Sequence, residues 1–154
     1  MSNYKTVFFI IGVLQIILGI FMAIPIFSQF IFSEIDSSFI TSSAITLVFG
    51  VLFVLSNLDY EKKINLKQAF LLTTLSWLTI AIFGSLPFYF SDLNISFTDS
   101  FFESMSGLTT TGSTIISNLE LAPKSVLLWR ALLQWLGGIG IIVMAITLMP
   151  IMKI

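Results

Sequence analysis

The residues best suited to chemistry form a run of hydroxyl side chains around a single glycine. The run follows the more apolar stretch 101–108 and consists of Thr109, Thr110, Thr111, Gly112 and Ser113. Backbone carbonyls of such a run can replace the hydration shell of a dehydrated cation. Glycine at 112 suits this arrangement because it can adopt a positive φ and bring its carbonyl into line with its neighbours. The pattern predicts a cation filter, and a plain polar turn between two helices is the alternative.

The composition argues against catalysis. The chain has 154 residues, 56% hydrophobic and 10% charged, whereas an average soluble domain is about 25% charged. Histidine and cysteine are absent, which removes the commonest general base and the thiolate nucleophile. We expect a membrane protein that is not an enzyme and uses no cofactor. The seven basic residues are scattered, so no nucleic-acid partner is expected.

Four apolar runs are long enough to cross a bilayer core, which takes about 20 helical residues. They cover residues 7–27, 39–58, 69–90 and 126–150. Pro25 is expected to mark a kink or the exit of the first run, and Gly84 and Pro87 either bend the third run or belong to its end. The predicted class is an all-α integral membrane protein with four transmembrane helices, one re-entrant pore helix and a filter loop.

The re-entrant element is predicted from its length. Ser100 and Glu103 match a capping box that would start a helix near Thr98, and Gly107 followed by β-branched residues would end it. Ten residues give about 15 Å, half the bilayer core. The chain is therefore expected to return to the surface it left, through residues 115–124.

Basic residues predict the orientation, because they concentrate in cytoplasmic loops. With four spans and a re-entrant hairpin, one side would hold Lys5, Lys62, Lys63, Lys67 and Lys153. The other side would hold Lys124 and Arg130. Both termini are therefore expected in the cytoplasm, with the chain in the cell (inner) membrane.

Arg130 is costly just inside a spanning helix unless it is paired or close to the interface. We expect it to pair with Glu103 and to support the filter from behind. Glu120 is the rival partner, and snorkelling of Arg130 to the outer headgroups is the simpler alternative. In the same helix, Gly137, Gly138 and Gly140 are expected to allow close helix packing.

Two stretches resemble the Trk/Ktr/HKT family of potassium-uptake proteins, its TrkH type most closely. Residues 101–114 (FFESMSGLTTTGST) are similar to its first pore loop, and residues 128–143 (LWRALLQWLGGIGIIV) to the inner helix that follows. The resemblance implies a leading helix pair at 1–60 and one outer helix–pore loop–inner helix repeat at 61–154. It also implies a filter at 109–113 that binds potassium at Thr110, Thr111 and Gly112, and a cytoplasmic nucleotide-binding regulatory ring as partner.

The chain departs from that family because it holds one repeat, and the family builds its pore from four. We expect an N-terminal part of a potassium-translocating subunit that assembles with the remaining repeats or with copies of itself. The alternative is a truncated, non-conducting structural or assembly fragment. Serine in place of Gly112 is expected to admit sodium, whereas Ser106, on the helix before the loop, is expected to matter less.

Overall fold

The computed structural model describes residues 4–34, 36–60 and 64–151, with the backbone alone at 144–151. The regular elements within these residues are α1 Lys5–Phe21, α2 Ala23–Phe32, α3 Ser38–Ser56, α4 Leu66–Phe90, α5 Phe97–Leu108, a short 3-10 turn Leu119–Leu121 and α6 Lys124–Ile151. Lys62, Lys63 and Lys153, which are among the five lysines predicted to face the cytoplasm, lie outside the described residues.

Among the described residues, four segments are long and apolar enough to cross a membrane. They are Lys5–Phe32, Ser38–Ser56, Leu66–Phe90 and Lys124–Val143. Large apolar side chains on them are exposed, Phe27 by 68% and Phe30 by 77%, as suits a surface that faces lipid. The prediction of an all-α protein with four candidate spanning helices is confirmed.

The first span is interrupted shortly before Pro25 but does not end there. α1 ends at Phe21 and α2 begins at Ala23, with Met22 between them. The break lies where proline requires it, since Pro25 has no N–H to donate to the Phe21 carbonyl four residues earlier and its ring crowds that carbonyl. The chain then continues in helix to Phe32, so Pro25 does not mark the exit of the span, and the kink stays a prediction. Pro87 does not end its helix either, because α4 continues to Phe90.

α1 and α3 pack through glycines that the sequence pattern did not single out. A Cβ added at Gly12 would lie 2.8 Å from the Gly50 carbonyl oxygen, and one added at Gly50 would lie 2.9 Å from the Ile16 nitrogen. The two backbones are therefore in direct contact, as small residues allow between membrane helices.

A buried tryptophan joins the last part of α4 to the first part of α6. Trp129 is fully buried, and its Nε1 donates to the Gly84 carbonyl at 2.9 Å. Gly84 lies near the end of α4 and Trp129 near the beginning of α6. The segment between them, which contains α5, therefore leaves and rejoins the helix bundle at the same end.

Glu34, in the connection between α2 and α3, binds the beginning of α6. Its carboxylate accepts from the Lys124 N–H at 2.6 Å, the Ser125 N–H at 3.2 Å and the Ser125 hydroxyl at 2.6 Å. A carboxylate here satisfies unpaired N–H groups and interacts favourably with the helix dipole. Partial burial raises the pKa of the Glu34 carboxyl, but the hydrogen bonds from Ser125 and Lys124 outweigh it and hold the pKa below its ordinary value.

We expect Glu34→Ala to lower the free energy of unfolding by about 1 kcal/mol, as loss of a helix cap does. Because the folded pKa is lowered, the stabilisation is present above the unfolded value of about 4.3 and is lost as pH falls through the folded value. Thermal unfolding of the purified chain at pH 7 and below pH 4 measures this. The matched control is Glu120→Ala, since Glu120 is an exposed acid in the same connection. Equal melting temperatures for both variants at pH 7 would contradict the cap.

Candidate functional site

The short helix α5 begins one residue before the predicted position and has a different cap. The Ser96 hydroxyl accepts from the Asp99 N–H at 3.1 Å and donates to the Asp99 carboxylate at 2.7 Å. The predicted capping box of Ser100 and Glu103 is wrong. Ser100 lies within the helix, where its hydroxyl donates to the Ser96 carbonyl, and the Glu103 side chain is occupied elsewhere. The helix ends at Leu108, next to the predicted end at Gly107.

Ser106 holds the hydroxyl run against the end of α5. Its carbonyl accepts from the N–H groups of Thr111 at 3.0 Å and Gly112 at 3.3 Å. Its hydroxyl donates to the Ser113 carbonyl at 2.6 Å. Ser106 therefore has a larger part in the loop than its sequence position indicates, and the expectation that it matters less than Gly112 stays a prediction.

Two residues of the run have a left-handed backbone. Gly112 has φ +77°, as its residue type predicts, and Thr110 has φ +59°. A β-branched residue with positive φ is a genuine outlier and costs about 1–2 kcal/mol. The Thr110 N–H donates to the Gly107 carbonyl at 2.9 Å, which helps to hold this conformation. Strain of this kind collects at functional sites, and the sequence pattern indicated it only for the glycine.

The free groups of the run are its carbonyls. None of the residues that the structure describes donates a hydrogen bond to the carbonyls of Thr109, Thr110, Thr111 or Gly112. The side chains of Thr109 and Thr111 bond to each other at 2.8 Å, and the run as a whole is exposed. Four neighbouring acceptors without donors can bind water or a cation.

Glu103 is the centre of a buried polar network behind the run. The residue is fully buried. Its Oε1 accepts from the Thr114 hydroxyl and the Ile115 N–H, both at 2.6 Å. Its Oε2 accepts from Arg130 Nε at 2.8 Å. One carboxylate thus joins α5, the segment directly after the run and α6.

The structure brings together Arg130 and Glu103, the two residues predicted to support a filter. The Arg130 side chain is 13% exposed and that of Glu103 is 0% exposed, so the pair is withdrawn from solvent. The rival acid, Glu120, lies in the exposed 3-10 turn. The contact is observed, and its role in support of a filter stays a prediction.

The three glycines of α6 differ sharply in their surroundings. A Cβ added at Gly137 would lie 1.8 Å from the Leu108 carbonyl oxygen at the end of α5. A Cβ at Gly138 would come no closer than 3.9 Å, to Thr110, and one at Gly140 would meet no described atom within 4 Å. Of these three glycines, Gly137 alone is closely packed against a described residue.

Two further residues lie next to the run and were not predicted as part of the site. Thr114 binds Glu103, and Gln134 places its Nε2 3.5 Å from the position of a Cβ on Gly112. Gln134 lies one helical turn after Arg130, and residues four apart share a face of a helix. That spacing could have identified Gln134 from the sequence. Thr114 carries no comparable signal, since threonine is common in loops.

Most of the chain is similar to known proteins. Residues 35–154 match the family model "TrkH: Cation transport protein". The chain is 43% identical over 146 residues to the Trk system potassium uptake protein TrkI of Halomonas elongata, with 94% of this chain and 30% of the relative covered. It is 35% identical over 154 residues to the Trk system potassium uptake protein TrkH of Vibrio parahaemolyticus, with 99% and 32% covered.

A solved structure has the same fold. The crystal structure of the potassium transporter TrkH from Vibrio parahaemolyticus superposes with a TM-score of 0.92 at 35% identity, covering 99% of this chain and 33% of that one. The chain thus spans about a third of the length of the relatives it matches. The resemblance drawn from residues 101–114 and 128–143 is confirmed, and the chain belongs to the TrkH family of cation transport proteins.

Proposed function

We propose that this chain is the N-terminal part of the potassium-translocating subunit of a Trk-type uptake system. The proposal rests on the four carbonyls of residues 109–112, to which no described residue donates a hydrogen bond. Ser106 binds the loop that carries them, and Glu103 and Arg130 lie behind it. The relatives named as potassium uptake proteins support the choice of ion. Transport, rather than catalysis, is what these residues can do.

The proposed mechanism is electrostatic. The aligned peptide dipoles of α5 give its C-terminal end a partial negative charge of up to about half a unit, and the run begins directly after it. A dehydrated potassium ion would exchange its water for the carbonyls of Thr110, Thr111 and Gly112. One loop covers only one side of an ion, so the remaining repeats, or other copies of this chain, must supply the other sides.

In this proposal residues 1–60 form the leading helix pair and residues 61–154 one pore repeat. α5 and the run enter the membrane from the outer face and return to it. Twelve residues of α5 reach about 18 Å, less than the bilayer core of about 30 Å. Both termini would then be cytoplasmic, where a nucleotide-binding regulatory ring would bind.

The orientation can be tested with single cysteines, because the chain has none of its own. Asp92→Cys and Lys124→Cys should react with an impermeant thiol reagent from outside intact cells. Lys67→Cys should react only after permeabilisation. All three positions are exposed. The labelling therefore reports the side of the membrane on which each position lies and not its burial. Reaction of position 124 from the cytoplasmic side alone would exclude the outward-facing hairpin.

The proposed filter can be tested in a chimera in which this chain replaces the matching third of the Halomonas TrkI relative. Growth of a potassium-uptake-deficient strain at low external potassium reports function. Gly112→Ser should lower the K⁺/Na⁺ uptake ratio about fivefold or more, because a side chain at positive φ costs roughly 1–2 kcal/mol and turns a carbonyl away from the ion. Rb⁺ and Na⁺ uptake are measured in parallel.

The control is Gly140→Ser, the same change at a glycine with no described neighbour within 4 Å. Ser106→Ala is unsuitable as a control, because Ser106 binds the Ser113 carbonyl. An unchanged ratio in a well-expressed Gly112→Ser chimera would show that these carbonyls do not select the ion. A wild-type chimera that inserts but carries no potassium would favour the alternative, a non-conducting structural fragment.

A further inference from the structure

One face of α6 lies alongside α5 and the hydroxyl run that follows it. Arg130 contacts Glu103, Gln134 lies beside Gly112, Gly137 lies against Leu108 and Gly138 lies nearest to Thr110. These α6 positions are spaced by four, three and one residues, which is the pattern of one helix face. Arg130 is there to form an ion pair and Gly137 to make room for the Leu108 carbonyl, whereas a Cβ on Gly138 would be accommodated.

Gln134 is the member of this face without an assigned role. Its side-chain amide makes no hydrogen bond to a described residue, and the residue is half-buried. Apart from residues 111 and 113, its Nε2 is the single described atom within 4 Å of the position that a Cβ on Gly112 would occupy, at 3.5 Å. Gly112 has no Cβ, so the amide lies beside the open side of the glycine and leaves room there.

Ser106 restrains the residues on both sides of Gly112, since it binds the Thr111 N–H and the Ser113 carbonyl, but Gly112 itself is held less tightly. Its N–H bond to the Ser106 carbonyl is long at 3.3 Å, and its own carbonyl accepts from no described donor. Glycine visits positive and negative φ with similar ease. A side chain beside its Cα limits the space into which the glycine can turn and therefore biases which of these conformations is populated.

We propose that Gln134 is a positioning residue for Gly112, whose packing keeps that glycine at positive φ and its carbonyl directed at the ion. The effect on ion choice rests on the proposed function, while the effect on Gly112 does not. The proposed role is steric, since the Gln134 amide makes no hydrogen bond to a described residue. Methionine, of similar length, should therefore replace glutamine better than alanine does.

The first test uses the purified ¹⁵N-labelled chain in lipid nanodiscs. Gln134→Ala should shift the Gly112 amide resonance clearly, and Gln134→Met should shift it less. Ile139→Ala is the matched control, an exposed apolar position on another face of α6. A Gly112 resonance that moves no further in Gln134→Ala than in Ile139→Ala would overturn the proposal, whatever the chain transports.

The second test is a double-mutant cycle in the TrkI chimera, with K⁺ and Na⁺ uptake as readout. Gln134→Ala alone should lower the K⁺/Na⁺ ratio about threefold or more, at unchanged expression. In the Gly112→Ser background the same change should have almost no further effect, because Gln134 acts through Gly112. Effects that multiply would show that Gln134 acts independently of the glycine and would overturn its positioning role. Absence of potassium uptake in the wild-type chimera would instead refute the proposed function. The shift of the Gly112 amide resonance would still show whether Gln134 positions Gly112.

Discussion

Gly137→Ala is expected to destabilise the chain by about 3 kcal/mol or more, at the upper end of what an added methyl group costs in a packed site. The new Cβ would lie 1.8 Å from the Leu108 carbonyl oxygen and 2.6 Å from its carbon. These are backbone atoms, so no side-chain rotation relieves the overlap. The end of α5 must move away from α6, and the hydroxyl run that begins at Thr109 moves with it.

Gly140→Ala is the matched control and should have the opposite sign. No described atom lies within 4 Å of a Cβ there, and alanine is about 1 kcal/mol better than glycine in a helix. Thermal unfolding of both variants in the same detergent measures the difference. Because the clash also displaces the loop, Gly137→Ala should abolish potassium uptake by the chimera. Similar melting temperatures for the two variants would contradict direct packing of Leu108 on Gly137.

The second large effect is expected at the buried ion pair. Arg130→Met should destabilise the chain by about 3–5 kcal/mol, because it leaves the Glu103 carboxylate charged and buried without its cation. Glu103→Met should cost at least as much. It leaves Arg130 unpaired and also removes the acceptor for the Thr114 hydroxyl and the Ile115 N–H.

The double variant Glu103→Met/Arg130→Met separates these contributions. It should be more stable than Glu103→Met alone, because no unpaired charge remains, although it still lacks the two bonds to the loop. Exchange of the two charges should restore stability only in part, since arginine at 103 cannot accept from Thr114. Glu120→Arg should not rescue Arg130→Glu. Additive destabilisation in the double variant, or rescue by Glu120→Arg, would show that Arg130 does not depend on Glu103.

The residue pattern alone was sufficient for the coarse architecture. Long apolar runs predict helices that can span a membrane, and their lengths depend on composition alone. The short length of the helix before the run is equally local, and it ends within one residue of its predicted end. The positive φ of Gly112 follows from residue type, since glycine is the residue that adopts it freely.

Contacts between distant residues were decided only by the tertiary structure. A carboxylate such as Glu103 can cap its own helix or reach another one, and only the position of α6 shows that it binds Arg130, Thr114 and Ile115. The same holds for Glu34, which caps a helix 90 residues further along the chain.

The glycines of α6 show the physical reason most directly. Gly137, Gly138 and Gly140 are equivalent in sequence, because each lacks a side chain and each lies in the same apolar helix. Whether a glycine is required depends on what faces it, and that depends on the rotation of α6 about its axis and on where α5 ends. Those two quantities place the Leu108 carbonyl on Gly137 and leave Gly140 open. Local sequence determined the helices, and the packing of their faces determined which residues hold the hydroxyl run.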